Sequence, residues 1–195
     1  MKSFTIVLFD DFETLDAFGP AEIIGKLPDD YQLAYCSLYG GIIRSSQHVP
    51  VDTLSFAEVD MTGVLLIPGG KGTRELVHDE AYIRRIALAA QKAEYVLTVC
   101  TGSALLAKSG LLQGRNATTN KMAFDWVCSV DNQVKWQRKA RWVVDGAFYT
   151  SSGVSAGMDM TLGFVCDRHG MACAQNIARR VEYIWNQDKD EDPFA

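Results

Sequence analysis

An α/β fold with a mainly parallel central sheet is predicted by three observations. Apolar or β-rich segments at 4–9, 31–38, 63–67 and 95–99 alternate with helical patterns at 19–27, 79–91 and 101–109, the order expected of a sheet covered by helices on both faces. The 195 residues form most simply one domain spanning 1–195, long enough to bury roughly 70% of its unfolded surface without disulfide staples. The run Tyr95-Val96-Leu97-Thr98-Val99 stops at Cys100 and restarts as a helix through Thr101-Gly102-Ser103-Ala104, a strand-to-helix turn of the kind that exposes a nucleophile.

The first strand is the run Phe4-Thr5-Ile6-Val7-Leu8-Phe9. It has the superficial look of a secretory signal, but Asp10 and Asp11 end the run early. Segments 42–46 and 49–54 read as a hairpin, and 141–144 with 147–151 as another across Asp145-Gly146, a favoured two-residue turn. Beyond Gly153, Val154, Met158, Leu162 and Val165 recur at helical spacing, and a further helix is expected from Gly170 to Trp185. The charged, Pro-stopped stretch Asp188-Lys189-Asp190-Glu191-Asp192-Pro193 reads as a surface tail or an arm over a neighbour. No repeat, linker or low-complexity tract interrupts the chain.

Composition excludes several function classes. Residues are 48% hydrophobic and 22% charged, as in an ordinary globular domain, and no apolar stretch approaches the ~20 residues needed to span a bilayer. A net charge of −5 disfavours a nucleic-acid surface, and Arg84-Arg85, Arg138-Lys139-Arg141 and Arg179-Arg180 read as solvated faces. Five widely spaced cysteines, 36, 100, 128, 166 and 173, fit a reducing cytoplasm better than a disulfide framework. No Cys-x-x-Cys pair points to a metal. Pro68-Gly69-Gly70-Lys71-Gly72-Thr73 lacks the spacing of a phosphate-binding loop, and Asn116-Ala117-Thr118 without a secretory signal is an accidental glycosylation match.

Open sheets of this class bind ligands beyond the carboxyl ends of their strands. Three such ends carry candidate residues: Leu15-Asp16-Ala17-Phe18-Gly19-Pro20, Ile67-Pro68-Gly69-Gly70 and Val99-Cys100-Thr101. A free thiol is only a few per cent ionised at pH 7. Lowering its pKa by about two units takes roughly 2.7 kcal/mol, which helix-start amides are expected to supply in good part at Cys100. Asp16 has a second reading as the N-cap of a helix beginning near Gly19-Pro20. Cys36, Cys128, Cys166 and Cys173 read as packing or incidental thiols, Asp159 as a structural carboxylate, and His48, His78 and His169 as surface or capping residues.

These stretches, with Ser152-Gly153-Val154-Ser155-Ala156-Gly157-Met158-Asp159, resemble the ThiJ/PfpI superfamily over nearly the whole chain. The Cys-Thr-Gly-Ser turn, Gly110-Leu111-Leu112-Gln113-Gly114, Ala117-Thr118-Thr119 and Glu182-Tyr183 are similar to the isocyanide hydratase branch. The resemblance implies a flavodoxin-like three-layer sandwich with Cys100 as nucleophile on its elbow and Asp16 as the proton shuttle. It further implies the Gly70 and Thr101 amides as donors to developing negative charge, and the Thr101 hydroxyl as a positioner of substrate or water. The implied reaction joins the thiolate to the terminal carbon of an isocyanide. Asp16 protonates that carbon, and water hydrolyses the thioimidate to an N-substituted formamide, without metal or organic cofactor. A cytoplasmic homodimer acting on a small molecule, with neither nucleic acid nor membrane as partner, is the implied setting.

The chain departs from the wider pattern in two places. Thr101 stands where the peptidase-like branch has a histidine, and Asn120 where many hydratase and deglycase relatives have one; a Cys–His peptidase dyad is therefore not expected. Glyoxalase-like or amidase-like thiol chemistry remains the alternative enzymatic reading. A redox sensor that registers oxidants at Cys100 is the non-enzymatic one. A DNA-binding regulator is disfavoured, because no helix-turn-helix follows the domain.

Overall fold

The computed structural model describes residues 1–195. Its strands are β1 (Lys2–Val7), β2 (Tyr31–Ser37), β3 (Tyr39–Arg44), β4 (Pro50–Ser55), β5 (Val64–Ile67), β6 (Tyr95–Thr98), β7 (Asn116–Ala117), β8 (Lys135–Trp136), β9 (Trp142–Asp145) and β10 (Phe148–Ser151). The helices are α1 (Thr14–Ile24), α2 (Thr73–Leu76), α3 (Glu80–Lys92), α4 (Gly102–Lys108), α5 (Phe124–Val130), α6 (Ala156–His169) and α7 (Met171–Arg180).

One eight-stranded sheet runs in the order β3-β4-β2-β1-β5-β6-β10-β9, and β7 pairs with β8 apart from it. Pairing is parallel from β4 through β2, β1, β5 and β6 to β10, while β3 and β9 close the two edges antiparallel. Both expected hairpins form, as β3–β4 and β9–β10. The sheet interior has the sequence of strands buried on both faces: Val64-Leu65-Leu66-Ile67 is entirely buried, as are Phe4, Ile6 and Val7 of β1 and Val96 and Leu97 of β6. The helices pack as two groups, α1 with α6 and α7, and α3 with α4 and α5, so the mixed α/β architecture is the expected three-layer one.

The order matters because the direction in which successive strands are added reverses at β1. From β1 the path goes to β2 on one side and later to β5 on the other, which leaves a crevice beyond the carboxyl ends of β1 and β5. The ends of β1, β5 and β6 are therefore neighbours. The end of β10 adjoins them, a fourth contributor that the sequence reading had left unassigned.

Three local expectations are corrected. The helix expected from residue 19 begins at Thr14, with Pro20 inside it and Glu13 at the N-cap position. Asp16 lies in the first turn and is not the cap. The last helix ends at Arg180 instead of Trp185, because Glu182 adopts a positive φ of 52°. The chain then crosses α6, where Trp185 Nε1 donates to the Asp159 carbonyl at 3.1 Å and the Asn186 amide donates to Asp159 Oδ1 at 2.9 Å.

The third correction concerns Arg141, which also anchors the tail, a surface segment as one of its two readings had it. Arg141 is buried, not solvated: its Nη2 lies 2.6 Å from Asp159 Oδ2 and its Nη1 3.5 Å from Asp192 Oδ1. The tail folds on its own domain, with the Arg141 and Trp142 amides donating to the Lys189 carbonyl at 2.8 and 3.2 Å and the Asp192 amide to the Lys139 carbonyl at 2.6 Å. Arg141→Leu strands two buried carboxylates without their cation. It is expected to lower stability by about 3–5 kcal/mol, read as a fall in Tm of roughly 10 °C or more; an unchanged melting curve would contradict the buried ionic anchor.

Candidate active site

Cys100 occupies the turn between β6 and α4 with a positive φ of 57°. An L-residue in this region is strained by roughly 1–2 kcal/mol, so the neighbours must hold it there. The Cys100 amide donates to the Ser152 carbonyl at 3.0 Å. Its carbonyl accepts from Thr119 Oγ1 at 2.9 Å and Ser103 Oγ at 3.1 Å. With both backbone polar groups held, the side chain is aimed into the crevice. Gly69 is required beside it: a Cβ there would stand 2.6 Å from the Thr101 nitrogen and 2.9 Å from Cys100 Cβ.

Asp16 reaches the same point from α1. The loops after β1 and β5 are stitched together by the Glu13 amide donating to the Gly69 carbonyl at 2.8 Å, and the Gly69 amide returns a bond to Asp16 Oδ2 at 2.9 Å. The other oxygen, Oδ1, is buried and has no hydrogen-bond partner. Asp16 is fully buried. That burial pushes its carboxyl up to about 7, helped by the charge of Glu13 and opposed by the Gly69 amide and the nearby Cys100 thiol.

The expectation of a readily ionised thiol is not met. Burial, followed by the negative charge of Asp16, pushes Cys100 up to about 12. The groups that favour its thiolate are the amides of Thr101 and Val154 and the side chain of Asn120, and burial outweighs them. Near neutrality the pair holds a protonated sulfur beside a carboxyl at its midpoint. Once Asp16 is ionised, carboxylate and thiol hold one proton between them, and their titration belongs to the pair.

The donor set also differs from expectation. The Thr101 amide faces the sulfur, but the Gly70 amide is engaged by the Thr101 hydroxyl, donating to Oγ1 at 3.1 Å. Thr73 Oγ1 lies 3.0 Å from the same hydroxyl and 2.7 Å from the Gly70 carbonyl. The Thr101 side chain therefore braces the Gly70 loop. The second amide that favours the thiolate is that of Val154, a β-branched residue held at φ 39° beyond the end of β10. Asn120 completes the set. Its Oδ1 accepts from the Ala123 amide at 3.0 Å, leaving its Nδ2 to donate. Asn120 stands at the second departure from the wider pattern and so carried a sequence signal without an assigned role, whereas Val154 acts through its main-chain amide and carried none of its own.

No group of three or more His, Cys, Asp or Glu side chains is placed to hold a metal ion, and no helix is long and apolar enough to cross a membrane. His169 is occupied far along the chain by the Tyr31 hydroxyl at 3.0 Å.

Residues 2–166 match the DJ-1/PfpI family. The chain is 33% identical over 179 residues to the isonitrile hydratase of Pseudomonas putida, spanning 91% of this chain and 76% of that one. A ThiJ/PfpI family protein from Pseudomonas syringae superposes with a TM-score of 0.84 at 26% identity, covering 98% of this chain and 76% of the other. DJ-1beta of Drosophila melanogaster shares the fold, with a TM-score of 0.78 at 18% identity over 94% of this chain and 99% of its own.

The raised carboxyl fixes a stability signature. Between the unfolded value of about 3.9 and the folded value of about 7, the folded state binds the extra proton. Stability linked to Asp16 is therefore fully present below the unfolded pKa and is lost as pH rises through 7. Asp16→Asn keeps an acceptor for the Gly69 amide and removes this loss. Its Tm advantage over the wild type is expected to be larger at pH 8.5 than at pH 5, by about 5 °C for a difference on the order of 2 kcal/mol. Because Cys100 titrates above this window, parallel melting curves at the two pH values would contradict the raised carboxyl.

Proposed function

Because this chain belongs to the DJ-1/PfpI family, we propose that it is a cysteine-dependent hydratase of small isocyanides, producing N-substituted formamides. The observation that carries this reading is a buried carboxyl with one unpartnered oxygen beside a protonated thiol, under amide donors that favour the thiolate. Such a site moves a single proton from sulfur to a substrate atom. An isocyanide, whose terminal carbon must gain both a nucleophile and a proton, fits that capacity. The similarity to an isonitrile hydratase supports the same substrate class.

Asp16, ionised, first accepts the Cys100 proton as the sulfur lone pair forms an S–C bond to the isocyanide carbon. The electron pair left on that carbon then takes the proton from Asp16, giving a thioimidate, Cys-S-CH=N-R. Water adds to the same carbon and its proton passes to nitrogen. Collapse of the tetrahedral adduct breaks the S–C bond, and the sulfur recovers a proton as R-NH-CHO leaves. The sum is one isocyanide plus one water. The amides of Thr101 and Val154 with Asn120 stabilise the sulfur while it carries charge, on attack and again on departure.

The high thiol pKa has a further consequence. A resting thiolate, which rapid peroxide sensing needs, is suppressed by burial, so the site is better suited to substrate-coupled proton transfer than to oxidant sensing. The five free cysteines fit the reducing cytoplasm in which we place the enzyme.

Incubation with an alkyl or aryl isocyanide, followed by formamide detection, tests the reading. Wild-type turnover is expected, with kcat/KM rising as pH passes through about 7. Cys100→Ala should abolish turnover, Asp16→Asn should reduce it by at least about a thousandfold, and Asn120→Ala by roughly tenfold to a hundredfold. Full activity in Cys100→Ala would remove the nucleophile, and an inactive wild type would remove the hydratase.

A further inference from the structure

A cleft of about 470 Å³ opens beyond the end of β10, lined among others by Asn120, Lys121, Met122, Gly153, Val154 and Phe194. Its volume is within the roughly 300–1,000 Å³ typical of small-molecule sites. The carbonyl of Ser152, which also lines it, accepts from the Cys100 amide at 3.0 Å, and Asn120 and Val154 are groups that favour the Cys100 thiolate, so the cleft is walled by the cysteine's immediate neighbours. Resting on the hydratase reading, we propose that Phe194 is a specificity-determining residue whose ring forms the outer wall of this cleft and selects substrates with an aromatic substituent on the isocyanide nitrogen.

Phe194 is 73% exposed and Met122 99% exposed, so an aromatic face and a thioether stand open at the cleft, the two side-chain types that pack best on a further ring. The ring's backbone is fixed. The Phe194 amide donates to Asp192 Oδ1 at 3.0 Å, and that oxygen is ion-paired with buried Arg141 at 3.5 Å. The Ala195 amide donates to the Asp192 carbonyl at 3.1 Å. Arg141 Nη2 also lies 3.4 Å from Ser155 Oγ, in the segment that carries Val154. One guanidinium thereby registers the tail against the cysteine's donors.

Lys121 is the one cation on the cleft wall, and two of its three donors are committed to the protein. Its Nζ donates to the Ala140 carbonyl at 2.6 Å and to Thr118 Oγ1 at 2.9 Å. With the ammonium drawn towards those two acceptors, the open surfaces are the Phe194 ring and the Met122 thioether, which an apolar ring complements.

Calorimetric titration of the wild-type protein with N-phenylformamide and N-methylformamide, repeated on Phe194→Ala and Phe194→Leu, tests the proposal without depending on turnover. The preference for the phenyl compound should fall about tenfold in Phe194→Ala and recover in part in Phe194→Leu, which restores apolar area. With phenyl and methyl isocyanides as substrates, the kcat/KM ratio should fall by a similar factor, through KM. A phenyl preference unchanged in Phe194→Ala, or a wild type without any such preference, overturns the proposal. A wild type that binds N-phenylformamide through Phe194 yet hydrates no isocyanide overturns the hydratase reading and leaves the wall. Turnover without dependence on Phe194 does the reverse.

Discussion

The Asp16 carboxyl is the constraint on which the site's chemistry depends. One oxygen is fixed by the Gly69 amide, the other is left bare, and the whole group is removed from water. A carboxylate in such surroundings is raised in energy, and so is a thiolate placed next to it. Neither group can hold charge comfortably, so a proton placed between them is transferable. The sheet makes this possible by bringing the ends of β1, β5 and β6 side by side.

Holding the thiol correctly requires backbone strain, and the strain is supported from several directions. Positive φ at Cys100 and at Val154 would relax if either turn were free. The Ser152 carbonyl spans the two, accepting from the Cys100 amide and linking the β6 and β10 ends. Thr119 and Ser103 clamp the carbonyl side of the same residue. The small residues at 69, 102 and 153 leave room for these close approaches.

The parallel core was legible because strands covered on both faces must be apolar almost throughout, as Val64 to Ile67 are. Cys100 was legible because a thiol at a strand-to-helix junction followed by Gly102 leaves a local pattern. Val154 was not, since it contributes a main-chain amide and any residue type provides one. The start of α1 was misplaced because Gly19-Pro20 gives a strong local boundary signal, whereas the helix is begun by bonds from the distant Gly69 loop. Arg141 looked like part of a solvated basic cluster. Its burial follows from Asp159 and Asp192, partners 18 and 51 residues away that a local reading does not reach. Likewise the thiol pKa depends on burial by the assembled crevice, which no stretch of sequence displays.

The strap formed by Asp192 on Arg141 has a consequence for how the pocket responds to a guest. Lifting that segment would take one of two carboxylates from a buried arginine, leaving it Asp159 alone, and would break the backbone bonds that tie Lys189 and Asp192 to the domain, a penalty of several kcal/mol. The cleft rim is accordingly in place before anything arrives. Under the proposed function, such a rim has little conformational entropy to surrender on association, which leaves selection among guests to shape and not to a closing movement.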